Sequence, residues 1–218
     1  MESKFHLEIL PKRQKLLFDS LSGSDWIEKF YLAGGTALAL QIAHRRSIDF
    51  DFFAEQEFDT WAVRKKLALL GDYRLSSESE QILDGRLNTV RISFFNLPYK
   101  LIRPATRFKH MRIVSREDIA AMKLAAISMR GSRKDFIDLF FLLKEFSLDE
   151  MIHFYEQKYG KKEENVYCVL KGLVYFADAE ERPMPGLLRR VSWRDVKKHV
   201  IHVHNEYIQG IKSGSFAR

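Results

Sequence analysis

A glycine pair followed at close range by two alternating aspartates, in Tyr31-Leu-Ala-Gly-Gly-Thr-Ala-Leu-Ala-Leu-Gln-Ile-Ala-His-Arg-Arg-Ser-Ile-Asp-Phe-Asp-Phe-Phe53, restricts this chain more than any other feature. Phe30, Tyr31 and Leu32 favour a strand, Gly34 and Gly35 end it, and Thr36 can open a helix with Leu38, Ile42 and Ala43 on one side. Glycines so placed sit at a helix N-terminus. Unpaired backbone N–H groups and the helix dipole favour an anion there, and the missing side chains let a phosphate come close. In Ile48-Asp49-Phe50-Asp51-Phe52-Phe53 a period of two sends Asp49 and Asp51 to one face of a strand and Ile48, Phe50 and Phe52 to the other. Carboxylates facing one space repel unless a cation lies between them, and hard oxygen ligands beside phosphates suit Mg²⁺. An isolated Asp-x-Asp is more simply the solvated face of an edge strand. The glycine turn and short helix before it favour a phosphate-and-metal site.

With 218 residues, 46% of them hydrophobic, the chain has room for one large or two small domains and a substantial core. A formal charge of +7 favours polyanionic partners, nucleic acid rather than membrane. No window is long and apolar enough to span a bilayer, and residues Met1 to Glu8 lack the apolar core of a signal peptide, so the expected location is cytoplasmic. The single cysteine excludes an internal disulfide, and the apolar context of Cys168 reads as core. His199, His202 and His204 cluster in sequence, but no Glu or Cys completes a zinc set, and solvated or partner-facing histidines are the expectation.

Pro11 opens a helix that runs to Ser22-Gly23, and Asp59 caps another that carries Trp61, Val63, Leu67 and Leu70 and stops at Gly71. Arg64-Lys65-Lys66 is a basic, exposed turn of that helix. Tyr73 to Leu83 leans toward strand, Asp84-Gly85 signals a hairpin turn, and Leu87 to Phe95 returns with Leu87, Thr89, Arg91, Ser93 and Phe95 on one face. Leu97 to Ile102 is a further short strand. Arg103, Arg107, Lys109, His110 and Arg112 then crowd around Phe108 in a loop suited to a phosphate backbone. Ser115 to Asp118 forms a capping box for a helix through Met129, with Ile119, Met122, Ala126 and Met129 as its buried stripe and Lys123 with Arg130 on a flank. Asp135 and Asp138 follow on the next helix, where a surface pair with Arg133 and Lys134 is the simple reading. Beyond Ser147 the chain is helical, with a loop from Ala177 to Gly186, a last helix from Ser192 to about Gln209, and a frayed tail from Gly210.

Three pieces of this sequence resemble the AbiEii-type, abortive-infection branch of the polymerase-β-like nucleotidyltransferases. They are Gly34-Gly35-Thr36-Ala37-Leu38 with Arg46-Ser47-Ile48-Asp49-Phe50-Asp51-Phe52-Phe53, then Asp118-Ile-Ala-Ala-Met-Lys123-Leu124, then Arg133-Lys134-Asp135-Phe136-Ile137-Asp138-Leu139. The resemblance implies an α/β (α+β) fold, a mixed sheet with flanking helices followed by a C-terminal helical domain, divided here as residues 1–112 and 113–218. It implies transfer of a nucleotide from an NTP to an acceptor, RNA by preference given the basic charge, in a toxin paired with an antitoxin protein. Asp49 and Asp51 would hold Mg²⁺ or Mn²⁺, and Gly34, Gly35 and Thr36 would cradle the departing phosphates, with Arg46 and Ser47 beside them. Arg46 and Lys123 would stabilise phosphate charge, and Asp135 would act as base or ligand. Nucleotidyltransferases usually project a third carboxylate from a later strand, whereas Val90 to Phe95 offers only Ser93. That gap leaves two alternatives: a catalytically weak nucleotide- or RNA-binding protein of the same fold, and a small-molecule nucleotidyltransferase of the antibiotic-modifying kind.

Overall fold

The structure, a computed structural model, describes residues 5–214. It divides into two compact units, with the division between Ser115 and Arg116.

Unit 1 is built on a seven-stranded mixed sheet in the order β3-β4-β5-β2-β1-β7-β6. Its strands are β1 (Tyr31–Ala33), β2 (Phe50–Ala54), β3 (Tyr73–Ser79), β4 (Ile82–Leu87), β5 (Val90–Asn96), β6 (Thr106–Phe108) and β7 (Met111–Ile113). Helices α1 (Lys12–Ser22), α2 (Gly34–Ile42) and α3 (Thr60–Ala68) flank it. β2 runs antiparallel to β1 and parallel to β5, and β7 carries the unit past residue 112 by pairing with β1. One face of the central strands is apolar: Phe50, Phe52, Ile92 and Phe94 are buried together. Phe94 meets Phe30 at 4.9 Å and Phe52 at 5.1 Å between ring centroids. Each of these rings contributes about 1.5–3 kcal/mol by leaving water, which pins the register of β2 and β5, since a one-residue slip would turn every ring outward.

Several local expectations change. Asp84-Gly85 is not a turn: both residues lie inside β4, and the β4–β5 turn falls at Asn88-Thr89, with Asn88 at φ 57°. Gly85 is there for close approach, because a Cβ would come within 2.6 Å of the Arg74 carbonyl and of the Tyr73 hydroxyl. No strand forms over residues 97–102; strands β6 and β7 occupy the basic stretch instead, joined through Lys109 at φ 52°. Phe108, Met111 and Ile113 supply the β-forming side chains there, while Pro98 and Pro104 interrupt the preceding segment. Asp59 does cap α3, its carboxylate accepting from the backbone N–H of Trp61 and Ala62.

Unit 2 consists of helices α4 (Arg116–Arg130), α5 (Arg133–Leu142), α6 (Leu148–Tyr159), α7 (Glu163–Leu173), α8 (Ala177–Glu180) and α9 (Trp193–Lys212). Ser147 and Glu150 form a capping box on α6, and Ser192 caps α9 by accepting from the Asp195 N–H. The segment expected as loop from Ala177 holds the short helix α8, anchored by Arg133, whose guanidinium donates to the Ala179 and Glu180 carbonyls. Gly210 is still helical, α9 continuing to Lys212, and residues 1–4 and 215–218 lie outside the described residues. Cys168 is exposed rather than core, because the buried stripe of α7 runs through Val166, Val169 and Leu173. His199 packs its ring on Phe140 at 5.2 Å, and burial together with the neighbouring His202 pushes its pKa down.

Candidate active site

The glycine pair and the aspartates are brought together within unit 1. β1 ends at Ala33, and α2 begins at Gly34 itself, two residues before the expected Thr36. Gly34 has φ +66°, and a Cβ on it would lie 2.8 Å from the Asp51 carboxylate Oδ2. The turn therefore depends on glycine twice, for its left-handed backbone and for its closeness to Asp51. Nothing caps α2 through a side chain at its N-cap, Ala33, so its first amides keep the anion-attracting character expected of a helix start. Thr36, itself buried, points its hydroxyl at the Asp49 carbonyl and ties the helix to the aspartate segment.

On β2, Phe50 and Phe52 face the core, while Asp51 and Phe53 are half-buried on the opposite face. Asp49 lies one residue before the strand. Ile48 does not join the phenylalanines: it is 64% exposed, because the ladder with β5 starts only at the Phe50–Ile92 pair. Beside Gly35 the residue in contact is Arg45, buried, its guanidinium standing where a Gly35 Cβ would be, with the Ser47 hydroxyl next to it. Arg46 is exposed. The sequence named Arg46 and Ser47 for this turn; the inward arginine is its neighbour.

The next strands add Asp84 and Arg91, which the sequence did not select, around Ser93, which it did. Ser93 pairs with Asp51 across β2–β5 and with Asp84 across β5–β4, so Asp51, Ser93 and Asp84 form one row across the sheet. The Ser93 hydroxyl donates to Asp84 Oδ1 at 2.6 Å, and Arg91 Nε donates to the same oxygen at 3.0 Å. The Asp84 hydrogen bond and charge, and beyond them Asp49 and Asp51, hold the Arg91 pKa above its ordinary value. Asp84 was hidden behind a dipeptide that usually marks a turn; its place inside a strand emerges only from pairing.

The motif residues of unit 2 form a second, buried cluster. Lys123 Nζ lies 2.8 Å from Asp135 Oδ1 and 2.6 Å from Asp138 Oδ2, with all three side chains at most 12% exposed. Burial raises the Asp135 pKa, but the Lys123 charge and hydrogen bond and the Ser132 hydroxyl outweigh it and leave the carboxyl below its ordinary value. The three side chains thus form an internal ion cluster, not a surface pair. The buried side of α4 is turned accordingly: Ile119, Lys123, Leu124 and Ile127 face inward, Met129 is 85% exposed, and Arg130, on the same flank as Lys123 but at the end of the helix, is exposed.

In the basic stretch, Glu28 takes His110 at 2.6 Å and Arg107 at 3.5 Å, and Glu55 takes Arg112 at 3.6 Å. Part of that charge is therefore spent on local pairing. Among the described residues no three His, Cys, Asp or Glu side chains are grouped to hold a metal. Two hard carboxylates still fit Mg²⁺, which is commonly held by one or two carboxylates and completed by water and substrate phosphate. Gly34 lets the start of α2 come close against the Asp51 carboxylate, which suits a shared phosphate and ion.

The mixed sheet with its flanking helices, and the glycine turn at a helix start beside the aspartate strand, are those of a nucleotidyltransferase-type fold. The chain matches the family described as nucleotidyl transferase AbiEii toxin, type IV TA system, over residues 15–92 and 87–206. It belongs to that family and is a nucleotidyltransferase of the toxin class. The chain is 32% identical over 206 residues to an uncharacterized protein, aq_aa25, of Aquifex aeolicus (strain VF5), covering 92% of this chain and 98% of that one. Among solved structures its fold is similar to MenT4, nucleotidyltransferase toxin Rv2826c from Mycobacterium tuberculosis H37Rv. That match has TM-score 0.54 and 16% identity, covering 88% of this chain and 84% of the other. It is also similar to JHP933 from Helicobacter pylori, with TM-score 0.52 and 17% identity over 94% and 97% of the two chains. Among the described residues no helix is long and apolar enough to cross a membrane.

Loss of the open turn should be costly. Gly34→Ala is expected to destabilise the protein by about 1–2 kcal/mol through its left-handed backbone and to displace the Asp51 carboxylate. Thermal melting together with calorimetric titration of inorganic triphosphate and Mg²⁺ should record a lowered Tm and weakened binding.

Proposed function

We propose that the protein transfers a nucleoside monophosphate from an NTP to an acceptor, RNA by preference, as a toxin whose action a cognate antitoxin protein restrains. The observation that carries this reading is the close approach of the Gly34 turn to the Asp51 carboxylate, which supports a site where helix-start amides and an aspartate act on one phosphate. An acceptor hydroxyl, giving up its proton to solvent, or an acceptor phosphate oxygen attacks the α-phosphorus of the NTP, the bond from that phosphorus to the β-phosphate oxygen breaks, and pyrophosphate leaves. The backbone amides of Gly34, Gly35 and Thr36 receive the departing phosphates, with Arg45 and Ser47 beside Gly35 and the exposed Arg46 between them in sequence. Asp49 and Asp51 would hold Mg²⁺ or Mn²⁺, which when bound neutralises phosphate charge and lowers the pKa of an attacking hydroxyl. Lys123 supplies a cation whose position Asp135 and Asp138 fix. The depressed pKa of Asp135 keeps it an anion at neutral pH, which favours the holding role over that of proton store.

Incubating the protein with each α-labelled NTP and total cellular RNA, with and without Mg²⁺, should place label in RNA only with the ion and preferentially from one nucleotide. RNA affinity should fall steeply with added salt, and reversing Arg103 and Lys109 should flatten the slope by roughly the number of phosphate contacts removed. Label appearing in a small-molecule acceptor but not in RNA would move the substrate class to antibiotic-type modification. Absence of transfer from all four NTPs to any acceptor would overturn the proposal.

A further inference from the structure

Arg91 stands on the same face of the sheet as the aspartates. Carried one residue back, the β2–β5 register sets Asp49 beside Arg91 as it sets Asp51 beside Ser93. Its guanidinium is tethered through one nitrogen only, Nε to Asp84 Oδ1, and its side chain is 51% exposed. Among the described residues its terminal amino groups donate to no protein acceptor. A guanidinium held by its inner nitrogen and open at its outer fork is pre-shaped for bidentate contact with a phosphate. Asp84 is poorly placed to be a third metal ligand itself. It lies two strand spacings, about 10 Å, from Asp51, and its Oδ1 already accepts from both Ser93 and Arg91.

We propose that Arg91 is a phosphate-gripping residue of the Asp49/Asp51 site, oriented by Asp84 through Nε and presenting its outer amino groups to the triphosphate of the substrate. Asp84 and Ser93 act through Arg91 as positioning residues. The strand position where the fold commonly carries another carboxylate thus serves here, through Ser93, to hold an anion that aims a cation. The inference rests on the nucleotide reading of this site.

The test is calorimetric binding of inorganic triphosphate with Mg²⁺, which needs no knowledge of the base. Loss of a bidentate charge-assisted contact should make Arg91→Met bind about 10- to 100-fold more weakly. Arg91→Lys, which keeps the charge but not the fork, should fall between it and the parent. Asp84→Asn should weaken binding in the parent but add nothing in the Arg91→Met background, the signature of a residue acting through another. Arg91 is half exposed, so both Arg91 variants should melt near the parent temperature. If Arg91 merely balanced the carboxylates, Arg91→Met would bind Mg²⁺ alone more tightly and triphosphate no worse; that result overturns the inference. Triphosphate binding lost in Asp49→Asn with Asp51→Asn but kept within twofold in Arg91→Met also sinks it, while leaving the nucleotide site intact. A parent protein that binds no triphosphate at all removes both.

Discussion

Replacing Asp49 and Asp51 together by asparagine is expected to reduce nucleotide transfer by on the order of 1000-fold or more while leaving the fold in place. The size of the loss follows from the proposed role of the pair: unit 1 would no longer offer the paired anions proposed to hold a divalent ion against the phosphates. The fold is expected to survive because asparagine keeps the size and shape of aspartate. Phe50 and Phe52 fix β2 from the other face, and exchanging two like charges for amides removes repulsion. Stability should therefore change by less than about 1 kcal/mol. Turnover by labelled-NTP transfer and Tm by calorimetry separate the two effects. Turnover within a few-fold of the parent would return the Asp-x-Asp to the status of a solvated strand face.

Lys123→Met is expected to have the largest effect on stability. It leaves Asp135 and Asp138 buried without their cation, and removing one partner of a buried ion cluster costs about 3–5 kcal/mol. In a unit of this size that lowers Tm by more than about 10 °C. The pH dependence carries a sign that identifies the cause. In the parent the folded-state pKa of Asp135 is depressed, chiefly by Lys123 acting against burial. Asp135 therefore contributes stability above its unfolded pKa, and this is lost as pH falls through the lower folded value. Without Lys123, burial and Asp138 push the carboxyl up instead, so Lys123→Met should gain stability on mild acidification where the parent does not. Asp135→Asn is the better probe of catalysis: it leaves one lysine with one carboxylate, a balanced pair, and should fold. A collapse of turnover in that well-folded variant supports a role in the reaction. Parent-like turnover assigns the whole cluster to the packing of unit 2.

The order of these two experiments matters for interpretation. A loss of transfer in Lys123→Met alone is ambiguous, because an unfolded helical unit would produce it too. The unit 1 variants do not share that ambiguity, since the site face of β2 and β5 is separate from the aromatic core that stabilises the sheet.

Local chemistry made much of this legible in the sequence. The glycine pair, the alternation of Asp49 and Asp51 with Phe50 and Phe52, the Asp59 cap and the Ser147 and Ser192 helix starts each depend on neighbours within a few residues, and the backbone enforces them directly. The family resemblance rested on the same short stretches. Tertiary structure decided what depends on strand order and on which side of a helix finds a partner. Asp84-Gly85 has the dihedral freedom of a turn, but pairing with both β3 and β5 absorbed it into β4 and set Asp84 against Ser93 and Arg91. Arg45 rather than Arg46 turned inward, because the chain leaves α2 through a left-handed Ala43. On α4 the periodicity admitted more than one buried stripe, and Lys123 went inside because Asp135 and Asp138 on α5 offset the cost of desolvating its charge. A sequence determines the electrostatic character of a residue and its local conformational preference. Whether that charge ends in water, in a buried cluster or aimed at a ligand depends on partners brought from elsewhere in the chain, which only folding supplies.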